Sequence, residues 1–306
     1  MKKIVLSVFL IFALLLVSGC GKTEEEKEPE KEPTTLTEYV ESFNRDVSQY
    51  EFKCAPLENN SIIYFDYSYS QSRMFLSDGK VYDVVFNGKT FSNGEQCKLN
   101  ENYPLVKKVI AISYEKYIIT EEGDVCKYTT IGGADNIECN LNSAGIPRAN
   151  TNAIIVKQDN IVSILGTSTY NKNINRTYKY YYVYYHLNSD NKVYKTTIES
   201  NGKIVSSVEL LSIPNYGNVR YISANLDIET NTITINNLIT NMGYYELQEV
   251  KTEECTKYVD VECQTIFVKN EVLDKYWNSI KYVYSDLVFT NDGHLYSLSS
   301  LKTLSK

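Results

Sequence analysis

The sequence predicts an all-β fold: a β-propeller of six or seven four-stranded blades, with an N-terminal strand completing the last blade. Three observations predict it. A short hairpin recurs at intervals close to the length of one blade. A cysteine-bearing segment recurs in step with it. After residue 60 the composition is dominated by Ile, Val, Thr, Tyr and Asn, which favour strands and turns.

The clearest unit is Lys107 to Leu141. It reads as four strands, Lys108–Ser113, Lys116–Thr120, Asp124–Thr129 and Asn136–Asn140, parted by turns at Tyr114/Glu115, Glu121–Gly123 and Gly132/Gly133. Its Ile119-Thr120-Glu121-Glu122-Gly123 returns as Ile239-Thr240-Asn241-Met242-Gly243 and as Phe289-Thr290-Asn291-Asp292-Gly293, and more loosely as Phe75-Leu76-Ser77-Asp78-Gly79. Glycine suits the last position because a tight hairpin needs φ > 0, which a side chain penalises. Asn160 and Asn191 take that part in degenerate copies, asparagine being the next most tolerant residue. These marker residues lie 44, 37, 31, 52 and 50 positions apart, around the roughly 40 to 50 residues of a blade. Six markers imply about six blades, and a degenerate seventh could hide in Ile146–Thr177.

Cys54, Cys97 and Cys139 share a polar approach and a following leucine, and Cys263 is a weaker relative. Cys97, Cys139 and Cys263 follow Gly79, Gly123 and Gly243 by 18, 16 and 20 residues, which puts them on the last strands of their blades. No such strand follows Gly293, whereas Cys54 has no hairpin before it. Tyr50–Cys54 is therefore expected to be the outer strand of the last blade, closing the ring and removing an open edge. Besides Cys20, six cysteines permit three disulfides. Cys126 and Cys139 are symmetric about Gly132/Gly133 and should face each other across a hairpin. Cys255 and Cys263 could close another local loop. Cys54 and Cys97 remain, and their bonding stays open because outer strands of neighbouring blades can lie beyond disulfide reach.

Three segments precede the propeller of residues 48–306. Lys2 and Lys3, the apolar run Ile4–Val17, and Leu16-Val17-Ser18-Gly19-Cys20 make a secretory signal; the run falls short of the roughly 20 residues needed to span hydrocarbon. The stretch resembles a bacterial lipoprotein signal with its lipobox. That resemblance implies removal of residues 1–19 and lipidation of Cys20, hence a cell-membrane anchor on the extracytoplasmic face. Residues 20–35 form a tether in which six glutamates alternate with Lys22, Lys27 and Lys31 around Pro29 and Pro33. Residues 36–47 read as a short amphipathic helix, opened by a Thr35/Glu38 capping box and carrying Leu36, Tyr39, Val40, Phe43 and Val47 at helical spacing. Its polar face is acidic, so it should pack on the propeller rather than lie on the membrane.

The formal net charge is −7, and losing Lys2 and Lys3 takes it to −9, which disfavours nucleic acid as a ligand. With two histidines and no C-x-x-C pair, no metal or cofactor site is expected. His186 and His294 lie in or beside predicted hairpins, with no nucleophile elbow near any serine. Ser299-Ser300-Leu301-Lys302 matches S-x-x-K but lacks its partner motifs and an expected helix, so it reads as coincidence. The most unusual stretch is Tyr178–His186. On a strand, Tyr178, Tyr180, Tyr182, Tyr184 and His186 share one face, while Tyr181, Val183, Tyr185 and Leu187 share the other. They either pack between blades or form an aromatic wall for a glycan or peptide. The hairpin repeat resembles that of the regulator-of-chromosome-condensation propellers, although Ile112 and Glu115 stand where that family has a glycine and a histidine. That resemblance implies partner binding on a face of loops. The expected function is a non-enzymatic binding module for a protein or cell-envelope glycan, held at the membrane as a monomer. The alternative is a propeller glycan hydrolase or lyase using carboxylates such as Glu121/Glu122, Asp190 near Asp159, or Asp286/Asp292.

Overall fold

The strands of the computed structural model pair into five antiparallel four-stranded sheets. Residues 32–43, 49–67, 72–86, 89–113, 115–131, 134–139, 150–250, 264–284 and 286–304 are described, and those from Thr35 onward belong to one compact unit. Helix α1 (Leu36–Glu41) and strand β1 (Gln49–Glu51) come first. Blade 1 is β2 (Ile62–Asp66), β3 (Ser72–Leu76), β4 (Val81–Val84) and β5 (Cys97–Leu99). Blade 2 is β6 (Val106–Ile112), β7 (Glu115–Thr120), β8 (Val125–Ile131) and β9 (Ala134–Glu138). After helix α2 (Thr151–Val156), blade 3 is β10 (Ile161–Ile174), β11 (Thr177–Asn188), β12 (Lys192–Glu199) and β13 (Ile204–Ser212). Blade 4 is β14 (Val219–Asp227), β15 (Thr232–Thr240), β16 (Tyr244–Val250) and β17 (Gln264–Lys269). Helix α3 (Glu271–Lys275) leads to blade 5, which is β18 (Ile280–Tyr284), β19 (Leu287–Thr290), β20 (His294–Ser297) and β1. Helix α4 (Leu298–Leu304) follows. The first strands touch their counterparts, β18 to β2, β2 to β6, β6 to β10 and β10 to β14. They surround a common axis, so the fold is a propeller.

It has five blades rather than six or seven. In every blade the residue after the second strand donates its backbone N–H to the residue before the first: Ser77 to Ser61, Glu121 to Leu105, Ser189 to Asn160, Asn241 to Asn218, and Asn291 to Ser279, at 2.8 to 3.1 Å. Asn160 is therefore the residue that precedes an inner strand, not the tip of a hairpin. The true markers, Gly79, Gly123, Asn191, Gly243 and Gly293, all have positive φ, and Asn160 does not. The short spacing from Asn160 to Asn191 arises inside one blade, and the segment expected to hide a seventh blade contributes α2 and all of β10. The recurring threonine also finds its reason. Thr120, Thr240 and Thr290 are buried, and each hydroxyl accepts a turn N–H, from Asp124, Met242 and His294 at 2.9 to 3.1 Å.

The N-terminal strand closes the ring as expected, with Gln49, Tyr50 and Glu51 opposite Tyr296, Leu295 and His294. It stops earlier than Cys54. Phe52 N–H donates to Gly293 O at 2.7 Å; the chain then crosses to blade 1, where Lys53 O accepts from Gln96 N at 2.7 Å and Lys53 N donates to Gln96 Oε1 at 2.9 Å. Cys54 thereby meets Cys97, the first residue of β5, and the two form a disulfide with a Cα–Cα distance of 5.3 Å. Cys126 and Cys139 bond as expected, continuing the Lys127–Glu138 register of β8 and β9. Cys255, Cys263 and Val47 lie outside the described residues, as do residues 1–31 with Cys20.

Five apolar clusters fill the five gaps between blades. Phe65 and Phe289 sit in the gap between blades 5 and 1, Phe75 and Ile118 between 1 and 2, Ile110 and Ile198 between 2 and 3, and Leu187 and Leu238 between 3 and 4. The gap between blades 4 and 5 also receives the two terminal helices, Leu36 and Val40 from α1 and Leu298, Leu301 and Leu304 from α4. The Thr35/Glu38 capping box is present. Helix α1 ends at Glu41, shorter than its apolar spacing predicts, and it packs on the propeller.

Candidate functional site: an axial tyrosine cluster and a projecting ribbon

The tyrosine face of β11 is one row in register but not one environment. Its four outermost pairs with β10, Asn171–Tyr180, Lys172–Lys179, Asn173–Tyr178 and Ile174–Thr177, lie beyond the last residue of β12 in the ladder, Glu199, which pairs with Tyr181. A two-stranded ribbon therefore projects from the blade, turned by Asn175 and Arg176 with φ of 52° and 65°, the left-handed pair a two-residue hairpin prefers. At its root Tyr184 is buried. Its hydroxyl donates to Asn152 Oδ1 at 2.6 Å and lies 2.8 Å from Thr151 Oγ1, and burial pushes its pKa up to about 12. Tyr182 is half-buried against the cluster between blades 2 and 3. Tyr178 and Tyr180, in contrast, are 62% and 56% exposed. They share their face with Asn173 and Asn171 across the ladder. On the other face Tyr170 stacks on Tyr181 at 4.9 Å. Of the four tyrosines singled out in the sequence, two are therefore structural pins and two are offered to solvent.

His186 is a core residue. Its Nδ1 lies 2.7 Å from Asn188 Oδ1 and its Nε2 2.8 Å from Thr196 Oγ1, and burial holds its pKa below the ordinary value. All of the acidic residues weighed as catalytic pairs lie in turns. Glu121 and Glu122 are exposed in the β7–β8 turn, and Asp190 accepts from Lys192 N and Tyr194 Oη at 3.2 and 2.9 Å. Asp286 accepts from Ser297 Oγ, Ser299 Oγ and Ser299 N at 2.6 to 2.9 Å, fixing the start of α4. The Ser299–Lys302 segment is helical after all, but Ser299 serves that cap and Lys302 pairs with Glu246. Among the described residues the inner strands carry two carboxylates, Asp66 and Asp227. Asp66 is buried and bonded to Tyr128 Oη at 2.9 Å and Lys116 Nζ at 3.0 Å. Asp227 accepts from Glu229 N and Thr230 N in its own turn.

The axis itself is tyrosine-rich, which the sequence reading missed. Tyr284 of β18 lies 6.2 Å from Tyr64 of β2, 6.3 Å from Tyr221 of β14 and 6.5 Å from Tyr282 of its own strand. Rings from three blades thus converge. Burial, reinforced by the neighbouring phenols, raises the pKa values of Tyr64, Tyr282 and Tyr284, so their hydroxyls stay protonated. Aligning the blades on their inner strands would have found them; aligning on the hairpins did not.

No protein-family model matches the chain, and no curated protein matches it. Among solved structures, the chain aligns with one from the complex of the fission yeast SREBP–SCAP binding domains at 12% identity, over 87% of this chain and 62% of that one, with a TM-score of 0.25. A second alignment, to a structure of BBS1N in complex with ARL6DN, has 10% identity, 77% and 76% coverage and a TM-score of 0.25. The chain therefore spans under two thirds of the first of these. Likenesses this weak carry no argument, and the propeller rests on its own strand order.

Proposed function

We propose that the protein is a non-enzymatic binding module, held on the extracytoplasmic face of the cell membrane by lipid on Cys20, that engages a glycan or protein of the cell envelope as a monomer. The observation that carries this reading is the ribbon. A fold that buries Tyr184 and Tyr185 leaves Tyr178 and Tyr180 exposed on a segment that contributes nothing to the gaps between blades. Two residues apart on one strand, their rings are spaced by about 7 Å, and Asn171 and Asn173 add amide donors and acceptors beside them. Flat rings with flanking amides fit a glycan better than an apolar protein patch. The lipid anchor rests on the lipobox residues, and the likeness to regulator-of-chromosome-condensation propellers rests on the hairpin residues alone.

The test is retention of the full-length protein on purified wall polysaccharides and on envelope proteins, with Tyr178→Ala/Tyr180→Ala beside the wild type. Each aromatic contact is worth about 0.5–1.5 kcal/mol, so losing both should weaken binding about tenfold or more at an unchanged melting temperature. Unchanged binding by the double variant removes the ribbon from the site. Cys20→Ala should leave the membrane fraction, and its retention there at an unchanged precursor mass removes the lipid anchor.

A further inference from the structure

The outer part of the ribbon retains two arrangements that cost stability, and both involve cations. Lys172 and Lys179 are direct partners across the β10–β11 ladder, and like charges directly opposite one another destabilise an antiparallel pair. Beyond them the turn places Arg176 at φ 65°. A two-residue hairpin turn of this kind prefers Asn-Gly, because a side chain is penalised at positive φ, yet it is an arginine that follows Asn175. The fold needs none of these cations. Lys172, Arg176 and Lys179 are all exposed, on a segment that runs past the end of β12. Backbone strain retained at an exposed place points to a function there.

The charge is also set apart from the rest of the molecule. From Tyr170 to Tyr181 the ribbon carries these three cations and no acidic residue, in a chain of formal net charge −7. Lys179 reaches back to Glu199 at 3.4 Å. Lys172 and Arg176 have no ion-pair partner among the described residues. The ladder pairs beyond β12, at about 3.3 Å per residue, carry the tip roughly 13 Å out, past the screening length of about 8 Å at physiological ionic strength. The acidic body therefore leaves the tip positive. A chain molecule crossing the tip meets Tyr178 and Tyr180 on one side of the ladder and the two lysines on the other, with Arg176 between them. The amides of Asn171, Asn173 and Asn175 argue against a lipid surface, since burying them in an apolar layer is costly.

We propose that the ligand of the ribbon is a polyanionic glycan, with a carboxylate or phosphate group in its repeating unit. Lys172, Lys179 and Arg176 hold the charged groups while sugar rings lie on Tyr178 and Tyr180. This rests on the glycan reading above and narrows it to charged polymers.

The experiment is binding of the full-length protein to two pairs of immobilised polysaccharides, each pair sharing one backbone: polygalacturonate against its methyl ester, and phosphorylated dextran against dextran. Vesicles of phosphatidylglycerol and phosphatidylcholine form a third arm. The wild type should hold the charged member of one pair about tenfold or more tightly than the neutral member, and the pair concerned identifies the group. Sodium chloride at about 1 M, where the screening length falls to about 3 Å, should remove the difference. Lys172→Gln/Arg176→Gly should bind the charged member no better than the neutral one. It should melt no lower than the wild type, because it removes the like-charge pair and gives the turn the residue it prefers. Tyr178→Ala/Tyr180→Ala should weaken both members alike, and Lys192→Met, which removes an exposed partner of Glu209, should change nothing. Equal binding of both members, lost in the tyrosine variant, overturns the polyanion and leaves the glycan reading standing. A charge preference that survives in Lys172→Gln/Arg176→Gly also overturns it. Binding to vesicles but to no polysaccharide overturns it in favour of the membrane, and binding in no arm removes the glycan reading and this inference with it.

Discussion

The Cys54–Cys97 disulfide should contribute more to stability than Cys126–Cys139, and the sizes follow from what each one spans. Cys54–Cys97 closes a separation of 43 residues and Cys126–Cys139 one of 13. Loop-closure entropy lost from the unfolded chain gives about 4 kcal/mol for the first and about 3 kcal/mol for the second. Position widens the difference. Cys126–Cys139 ties two strands that already pair within one blade. Cys54–Cys97 ties the segment leaving blade 5 to the outer strand of blade 1, beside the Lys53–Gln96 bonds, and so fastens the closure of the ring. Both of its sulfurs are buried, whereas Cys139 is exposed. For a domain of this size 1 kcal/mol moves the melting temperature by roughly 2 to 4 °C, so Cys54→Ala/Cys97→Ala should melt about 8 to 16 °C lower. Thermal unfolding followed by circular dichroism, without reductant, compares it with Cys126→Ala/Cys139→Ala and the wild type. A melting temperature within roughly 2 °C of wild type for the Cys54/Cys97 variant, or a larger loss in the other variant, would refute the reasoning.

Two further predictions concern closure and pH. Phe52→Ala should cost about 3–5 kcal/mol, because the buried ring stacks on Phe86 at 5.8 Å and meets Phe289 edge-on at 5.7 Å where the ring closes; urea unfolding measures it, and a cost below about 1 kcal/mol would show that the seam is not under load. Burial holds His186 neutral to below its ordinary pKa of 6.5, so the unfolded chain takes up that proton first as pH falls. Its contribution is complete above about pH 6.5 and is lost progressively below it, and His186→Leu should flatten that part of the stability–pH profile; an unchanged slope between about pH 7 and 5 would mean the ring titrates freely.

Blade 2 was legible to within about two residues at each strand end, and the closing role of the N-terminal strand was legible though its end was not, because hairpin glycines, alternating apolar residues and the Cys126–Cys139 symmetry are all local. The blade count was not legible. Asn160 and Asn191 look alike in sequence, and only the backbone bond from Ser189 to Asn160 shows that one precedes an inner strand while the other turns a hairpin. Cys54 was misplaced by three residues for a related reason, since where β1 stops depends on Gly293 and Gln96, far along the chain. The row Tyr178–Tyr184 was correctly read as one face of one strand, but a period of two cannot say how far the neighbouring strand β12 runs. By itself the sequence determined the strand-and-turn grammar of a propeller, the closing role of the N-terminus and one disulfide, because each follows from residues close together or from repetition. Only the tertiary structure decided that there are five blades, which tyrosines are exposed, and that Cys54 meets Cys97. All of these depend on which strands become neighbours around the ring, a long-range outcome of filling five apolar gaps at once.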